Sequence, residues 1–174
     1  MSKEEYIQFG WGKFIRESLR NEDSQDEGAG FFVYCPQKDS VLLLRRADGS
    51  ETGHLASPGG HAKIGEKPEK TAQRETLEEI GKDLSGRDYM DKFVNERADF
   101  KYTTFLVEVV DEFEPRLNSE HDAWCWVDLD EIKMCMKKDC NLKSSKFKCP
   151  RNKEANVDAP IHFGIKNCIK HFKL

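Results

Sequence analysis

The chain has 174 residues, of which 37% are hydrophobic and 34% charged, and its formal net charge is −4. This composition predicts a soluble globular protein that forms one domain over residues 1–174, and the acidic balance argues against wholesale nucleic-acid binding. No apolar stretch is long enough to cross a bilayer and Met-Ser-Lys-Glu-Glu is not a signal peptide, so we expect a cytoplasmic (intracellular) protein with no membrane partner.

The predicted elements follow an α/β order without internal repeats. Tyr6 to Leu19 has mixed apolar spacing, which fits a helix or an early strand, and an acidic, exposed connection is expected from Asn21 to Gly28. Two short apolar runs, Ala29 to Tyr34 and Val41 to Leu44, are joined by a Pro-Gln-Lys-Asp-Ser turn and predict a β-hairpin.

Two features follow the hairpin before the next element. Arg45 and Arg46 end the second strand, where one of them could contact a substrate phosphate or both could be solvated. Gly59 and Gly60, after Pro58, allow a sharp turn and a close approach of the backbone to a ligand.

A helix is predicted from Pro68 to Ile80. Proline fits the first helical turn, and Gly81 supplies the left-handed residue that ends a helix. At about 100° per residue, one arc of this helix carries three acids, which we expect to be held clear of the core: Glu75, Glu78 and Glu79. The adjacent stripe should pack inward: Ala72, Thr76, Ile80 and Leu77.

Carboxylates this close repel one another unless a cation lies among them, and a hard divalent ion such as magnesium prefers oxygen ligands. Arg74 lies beside the acids and could brace one of them. The alternative is an ordinary solvated helix whose acids pair with nearby lysines: Lys67, Lys70 and Lys82.

The pattern resembles the signature of the Nudix hydrolases. Seven residues occupy its fixed positions: Gly60, Glu66, Arg74, Glu75, Glu78, Glu79 and Gly81. Thr76 and Lys82 stand where that family usually has an apolar residue. The resemblance implies a Nudix-type α/β/α sandwich with a mixed β-sheet, and it covers about Gly30 to Ile132, resuming near residues 161–164.

The resemblance also implies roles for these residues. Magnesium or manganese would be bound by Glu75, Glu78 and Glu79, with Glu66 as an auxiliary ligand. Arg74 would orient Glu75, and a glutamate would act as general base in the attack of water on a phosphorus. Glu78 and Glu79 are candidates for that base within the signature, and Glu120 is the distal candidate, ahead of His121. The alternative for both distal residues is a polar turn.

Beyond the signature, Lys101 to Val110 predicts a central strand buried on both faces, with a further strand from Trp124 to Val127. Trp124 and Trp126 share one strand face, which favours core packing over base stacking. Asp128 would cap the helix that follows, and a terminal helix is expected to end near Phe172.

Residues 133–156 form a basic, cysteine-containing insertion that the resemblance does not cover. A zinc site could use Cys135, Cys140 and Cys149, whereas a flexible basic loop needs no metal. The chain's cysteines are otherwise expected to be reduced thiols. If ordered over the site, the lysines of this insertion could hold a polyphosphate or an RNA 5′ end.

These observations predict a metal-dependent hydrolase that cleaves a diphosphate linkage in a small-molecule nucleotide. Nucleoside triphosphates and nucleotide sugars are the first candidates, followed by dinucleotides and capped RNA. The tyrosine typical of diadenosine polyphosphate hydrolases has no counterpart at its usual spacing, where Ala98-Asp99-Phe100 stands. Two alternatives are a non-catalytic nucleotide-sensing or protein-binding module and an RNA-associated protein that uses the basic insertion.

Overall fold

The computed structural model describes residues 24–49, 51–97, 100–150 and 156–174. The prediction for Tyr6 to Leu19 falls outside these residues. The elements in chain order are β1 (Ser24–Cys35), β2 (Ser40–Arg46), β3 (Leu55–Ala56), β4 (Gly59–Lys63), α1 (Pro68–Ile80), β5 (Tyr89–Arg97), β6 (Phe100–Glu108), β7 (His121–Asp128), α2 (Leu129–Lys138), β8 (Leu142–Ser144), β9 (Val157–Ala159) and α3 (Phe163–Phe172).

Within the described residues, seven strands form one mixed sheet in which β3, β2, β1, β6 and β5 are successive neighbours. Strand β1 is parallel to β6 and antiparallel to β2, which confirms the predicted hairpin. Strand β4 also pairs with β1, and β7 pairs with β2 along its length. The sheet is therefore split, with β4 and β2 using different ends of β1.

Strand β1 begins earlier than expected. Its first residues, Ser24 to Gly28, were predicted as an exposed connection, but Ser24 pairs with Lys63 and Gly28 with His61 of β4. On its other side, Gly28 pairs with Tyr102 of β6. Because the partners lie far along the chain, the acidic local sequence gave no signal of this pairing.

The sheet carries a separate apolar core on each face. On one face, Phe31, Leu42 and Phe105 pack with Ala72 and Ile80 of α1. On the other face, a second cluster includes residues from α2 and α3: Leu129, Ile132, Ile165 and Ile169. Helices therefore cover both faces, and the predicted α/β/α sandwich is confirmed.

Helix α1 has the predicted bounds. Gly81 follows it at φ 64° and donates its N–H to the carbonyl of Leu77. Thr76 is fully buried despite its hydroxyl. The prediction for Leu77 is wrong, because its side chain is 51% exposed and the inward stripe is completed by Thr71 instead.

The later strands agree with the sequence. Strand β6 lies between β1 and β5, with Phe105 and Leu106 buried on opposite faces, although Val110 lies beyond its end and is exposed. Trp124 and Trp126 are each 8% exposed and belong to the core on the α1 side.

Asp128 precedes α2, but its side chain makes no capping hydrogen bond and binds Lys146 Nζ at 2.8 Å. The prediction of a side-chain cap is therefore wrong, although the helix begins where expected.

Residues 133–150 are more regular than a loop. The first of them belong to α2, and β8 pairs with β9. Lys143 and Lys146 form ion pairs with Asp158 and Asp128, which lowers the positive charge available to a polyanion. In the part of the chain that the structure describes, Cys135, Cys140 and Cys149 do not form a group that could hold a metal. Among the described helices, none combines the length and apolarity needed to cross a membrane.

Candidate active site

Glu79, near the end of α1, contacts the first residue of β4. Its side chain is buried, with 3% exposure, and Oε2 accepts a hydrogen bond from the backbone N–H of Gly59 at 2.7 Å. The expectation that every acid of α1 stays clear of the core is therefore wrong for Glu79. Burial, partly offset by that N–H, raises the pKa of Glu79 well above the ordinary range of a glutamate.

The two glycines before α1 make room for the carboxylates. A Cβ on Gly60 would lie 2.6 Å from Cδ of Glu75, and a Cβ on Gly59 would overlap the hydroxyl of Tyr102. Gly59 also has φ 150°, which L side chains rarely adopt. The glycines therefore allow close approach to protein carboxylates, in addition to any approach to a ligand.

Arg74 joins the loop before α1 to the acids of the helix. Its Nε and Nη2 bind the two oxygens of Glu66 at 2.9 and 2.8 Å, and Nη2 also donates to the carbonyl of His61 at 2.9 Å. Nη1 contacts Glu75 at 2.7 Å and Glu78 at 3.3 Å. Its donors are therefore fixed on several elements, as a rigid guanidinium allows.

Glu66 is held on several sides. Besides Arg74, Oε2 accepts from the backbone N–H of Lys63 at 3.1 Å and from the hydroxyl of Thr71 at 2.9 Å. Hydrogen bonding from Arg74 is the main reason that the pKa of Glu66 falls to about 2. Glu66 is thus an anion near neutral pH, with both oxygens in use.

Glu75 retains an excess of negative surroundings. Burial raises its pKa, Arg74 opposes that rise, and the charges of Glu78 and Glu120 raise it further. The side chain of Glu78 is 53% exposed and that of Glu75 only 13%. The site therefore has one buried acid, one partly buried acid and one exposed acid, with the guanidinium of Arg74 beside them.

The structure brings Glu120, the distal candidate, to the acids of α1. The backbone N–H of Asn118 donates to the carbonyl of Glu79 at 3.1 Å, which fixes this loop on the end of α1. The carboxylate of Glu120 raises the pKa of Glu75 and of Glu79, and Asn118 Nδ2 donates to Glu120 Oε1 at 3.3 Å. The loop is a polar turn that also places an exposed carboxylate beside the site.

His121, the second distal candidate, is nearly buried, with 4% exposure. Burial and the charge of Arg46 lower its pKa to about 4, so the imidazole is neutral at pH 7.

The arginines at the end of β2 differ. Arg45 binds Asp122 with both Nε and Nη2, at 2.7 and 3.0 Å. Arg46 acts on the acids instead, because its charge lowers the pKa of Glu79. Of the two candidates for a phosphate contact, Arg46 is therefore the one whose charge acts on an acid of α1.

Sequence reasoning missed Tyr102. The positions where a Cβ of Gly30 or Gly59 would lie are occupied by its hydroxyl, and burial with the charges of Glu79 and Glu75 raises the pKa of Tyr102. Tyr102 lies two positions after Phe100, the end of the stretch in which the sequence has no tyrosine at the expected spacing. The available signal was Gly28 and Gly30 in a strand, because glycines there often mark close approach of another group.

The carboxylates fit a divalent cation by their chemistry. Carboxylate oxygens are the ligands that a hard ion prefers, and a bound cation relieves the cost of burying carboxylates and their mutual repulsion. Within the described ranges, no three His, Cys, Asp or Glu side chains stand in an arrangement that could hold an ion, and Nη1 of Arg74 lies 2.7 Å from Glu75 and 3.3 Å from Glu78.

Comparison with models of protein families gives one match. The model of the NUDIX domain matches residues 25–147. This range includes all the glutamates of the site: Glu66, Glu75, Glu78, Glu79 and Glu120. The chain belongs to the Nudix family. Nudix hydrolases generally use divalent metals.

Curated relatives match part of this Nudix chain. A bis(5′-nucleosyl)-tetraphosphatase [asymmetrical] from Rattus norvegicus is 40% identical over 100 residues, which cover 52% of the chain and 65% of the rat protein. The protein of the same name from Sus scrofa is 36% identical over 100 residues, with the same coverage. The chain therefore spans just under two thirds of the length of these relatives.

Solved structures show the same fold at low identity. A Nudix hydrolase from M. smegmatis, RenU, has a TM-score of 0.60 at 20% identity and covers 84% of this chain and 83% of its own. The binary complex of a C. elegans Ap4A hydrolase has a TM-score of 0.52 at 23% identity, covering 62% of this chain and 83% of its own. At these identities the likeness concerns the fold.

Proposed function

We propose that this chain is a pyrophosphohydrolase that depends on Mg²⁺ or Mn²⁺ and cleaves a diphosphate linkage in a nucleotide. The observation that supports it most is the pair of mutually repelling carboxylates of Glu75, which is partly buried, and Glu79, which is buried, with Glu120 beside them. Such a cluster costs stability when it is empty, so a protein without metal chemistry has no use for it.

Each residue has a part in this proposal. Glu75, Glu78 and Glu79 would hold the ion, and a bound ion would supply the positive charge that neutralises a diphosphate and lowers the pKa of a water molecule. Glu66 positions Arg74, because both its oxygens are already bound, and Arg74 in turn orients Glu75. We therefore assign Glu66 to support of the site rather than to metal binding.

Glu120 is the proposed general base. It takes a proton from the attacking water as the new P–O bond forms and the bridging P–O bond breaks, and the departing phosphate leaves with the pair of electrons of that bond. Its exposed position, close enough to Glu75 and Glu79 to raise the pKa of both, suits a group that must meet water. Glu79 is less suited, because its Oε2 is held by Gly59.

The substrate follows less directly. The rat and pig relatives are named bis(5′-nucleosyl)-tetraphosphatases. Dinucleoside tetraphosphates therefore move ahead of the nucleoside triphosphates and nucleotide sugars that the sequence favoured. The pairing of Lys143 and Lys146 with acids leaves less support for capped RNA.

The test is hydrolysis by the purified protein with Mg²⁺ of a panel: bis(5′-adenosyl) tetraphosphate, nucleoside triphosphates, nucleotide sugars, ADP-ribose and capped RNA. Chromatography of the products identifies the bond that is cleaved. We expect cleavage by the wild type and none above background by Glu79→Gln. Equal turnover by both proteins, or none by either while Mg²⁺ still raises the melting temperature, would contradict the proposal.

A further inference from the structure

Strand β5 lies at one end of the main sheet. Its inner edge pairs with β6 from Tyr89 to Arg97, and among the described residues no strand pairs with its outer edge. The register shifts once, between Tyr89 and Asp91, and then continues without interruption to Arg97. An edge strand presents a row of unpaired N–H and C=O groups. The outer edge of β5 is therefore a surface on which a further strand can pair.

The regular part of β5 has two charged side chains at each end: Asp91, Lys92, Glu96 and Arg97. All of them are exposed, and Val94, midway between them, is 38% exposed. Natural proteins place charges on edge strands to discourage unwanted pairing. The order of the charges then decides which strand can still pair there.

The contacts of these side chains within the chain leave them accessible. Two of the contacts are long, at 3.9 Å each, and exposed: Asp91 with His171, and Glu96 with Lys101. Such exposed pairs contribute little to stability. The guanidinium of Arg97 lies 4.3 Å from the ring centroid of Phe163. Stacking on a ring leaves the N–H groups in the guanidinium plane able to bind a carboxylate.

Symmetry limits how two copies of β5 can pair through the same edge. The pair is antiparallel about a twofold axis, because both copies present the same surface to each other. In an antiparallel pair, backbone groups point toward the partner at every second residue. Opposite residues are therefore an even number of positions apart, and the residue on the axis lies opposite its own copy.

This condition selects one register for the charges of β5. Asp91 and Lys92 are adjacent in the chain, as are Glu96 and Arg97, so neither of these combinations can lie opposite. The two remaining combinations of opposite sign, Asp91 with Arg97 and Lys92 with Glu96, are both centred on Val94. With Val94 on the axis, every charge of β5 therefore lies opposite one of the other sign, and the pairing uses the whole regular stretch.

We propose that this chain associates with a second copy of itself through the outer edge of β5, in the antiparallel register centred on Val94. Opposite charges across a strand pair stabilise it and like charges destabilise it. The charges of β5 thus favour its own copy over strands with another charge order. A single strand pair buries less than the ~1,200 Å² of a stable interface, so the dimer is in reversible exchange with the monomer.

The test is sedimentation equilibrium from about 10 µM to about 1 mM protein, where weak interfaces associate. We expect the average mass of the wild type to rise from 20.1 kDa toward twice that value. Lys92→Glu and Glu96→Lys each place like charges opposite one another at two contacts. Each should weaken association by at least about 10-fold. An equimolar mixture of the two variants should associate again, because each supplies the charge that the other lacks.

The matched control is Lys38→Glu, which makes the same change of charge at an exposed residue of the turn between β1 and β2 and should associate like the wild type. A wild type that stays monomeric over the whole range would overturn the proposal. So would unchanged association of both β5 variants, or a mixture that associates no better than either variant alone. Recovery in the mixture also shows that the two variants are folded, and none of these results depends on turnover.

Discussion

Arg74 binds both carboxylate oxygens of Glu66, at 2.9 Å through Nε and at 2.8 Å through Nη2. This pair ties the loop before α1 to the helix, while Nη1 of the same guanidinium contacts Glu75 at 2.7 Å. Burial and neighbouring carboxylates nevertheless raise the pKa of Glu75 and of Glu79, which is the condition that a cation would correct.

Glu66→Gln is expected to lower the free energy of unfolding at neutral pH by about 3 kcal/mol at most, because the folded state keeps the pKa of Glu66 at about 2 instead of 4.5. A carboxyl group whose pKa is lowered by folding stabilises the folded state at pH values above its pKa in the unfolded chain. The wild type should therefore lose this contribution as pH falls from about 4.5 toward 2, and the variant should lack that part of the slope. Urea unfolding between pH 7 and pH 3 measures it.

The control is Asp88→Asn, which also removes one carboxylate, but at an exposed position outside the ion pair with Arg74. Identical pH dependence in Glu66→Gln and the wild type would contradict the role assigned to this ion pair.

Glu79→Gln should melt no lower than the wild type in EDTA. Glutamine can still accept the N–H of Gly59, and the substitution removes a buried charge. With Mg²⁺ the order should reverse, because only the wild type keeps the full set of ligands and gains stability from binding. Thermal denaturation with and without the ion measures both effects.

Glu78→Gln provides the comparison, since that side chain is 53% exposed and should change the melting temperature in EDTA very little. A loss of several degrees by Glu79→Gln in EDTA would show that the negative charge itself supports the fold.

Gly60→Ala should displace the Glu75 carboxylate, because the new Cβ would lie 2.6 Å from Cδ. We expect a stability loss of roughly 1–3 kcal/mol, typical of overpacking, together with loss of the Mg²⁺-induced rise in melting temperature. Gly86→Ala is the matched control, since no heavy atom lies within 4 Å of its added Cβ. Normal metal stabilisation in Gly60→Ala would argue against close packing at Glu75.

Glu120→Gln should lower kcat by roughly 10²- to 10⁴-fold, the usual contribution of a general base, while most of the stabilisation by Mg²⁺ persists. Glu114→Gln, in the same loop and also exposed, should retain activity. Initial rates at saturating substrate measure the effect. If Glu120→Gln keeps more than a third of the wild-type kcat, another residue is the base.

The sequence was sufficient for α1 because its limits are set locally. Pro68 starts the helix, and Gly81 adopts φ 64° at its end. The hairpin of β1 and β2 was predictable for the same reason, since its turn and both strands are contiguous in the chain.

The burial of Glu79 could not be predicted, because the N–H that holds it belongs to Gly59 on a separate strand. Helical periodicity places Glu79 with Glu75 and Glu78, and only the tertiary fold separates a buried carboxylate from an exposed one. Tyr102 and the early start of β1 depend on pairing between distant segments, which local pattern does not report.

Strands β1 and β6 pair in parallel although five elements lie between them in the chain: β2, β3, β4, α1 and β5. Such closure is slow, because its entropy is lost before the contacts form. Gly59 of β4 and Tyr102 of β6 both reach their places beside Glu79 only through β1. The site should therefore be among the last parts of the molecule to assemble during folding, and a partly folded chain that already contains α1 should have no catalytic centre.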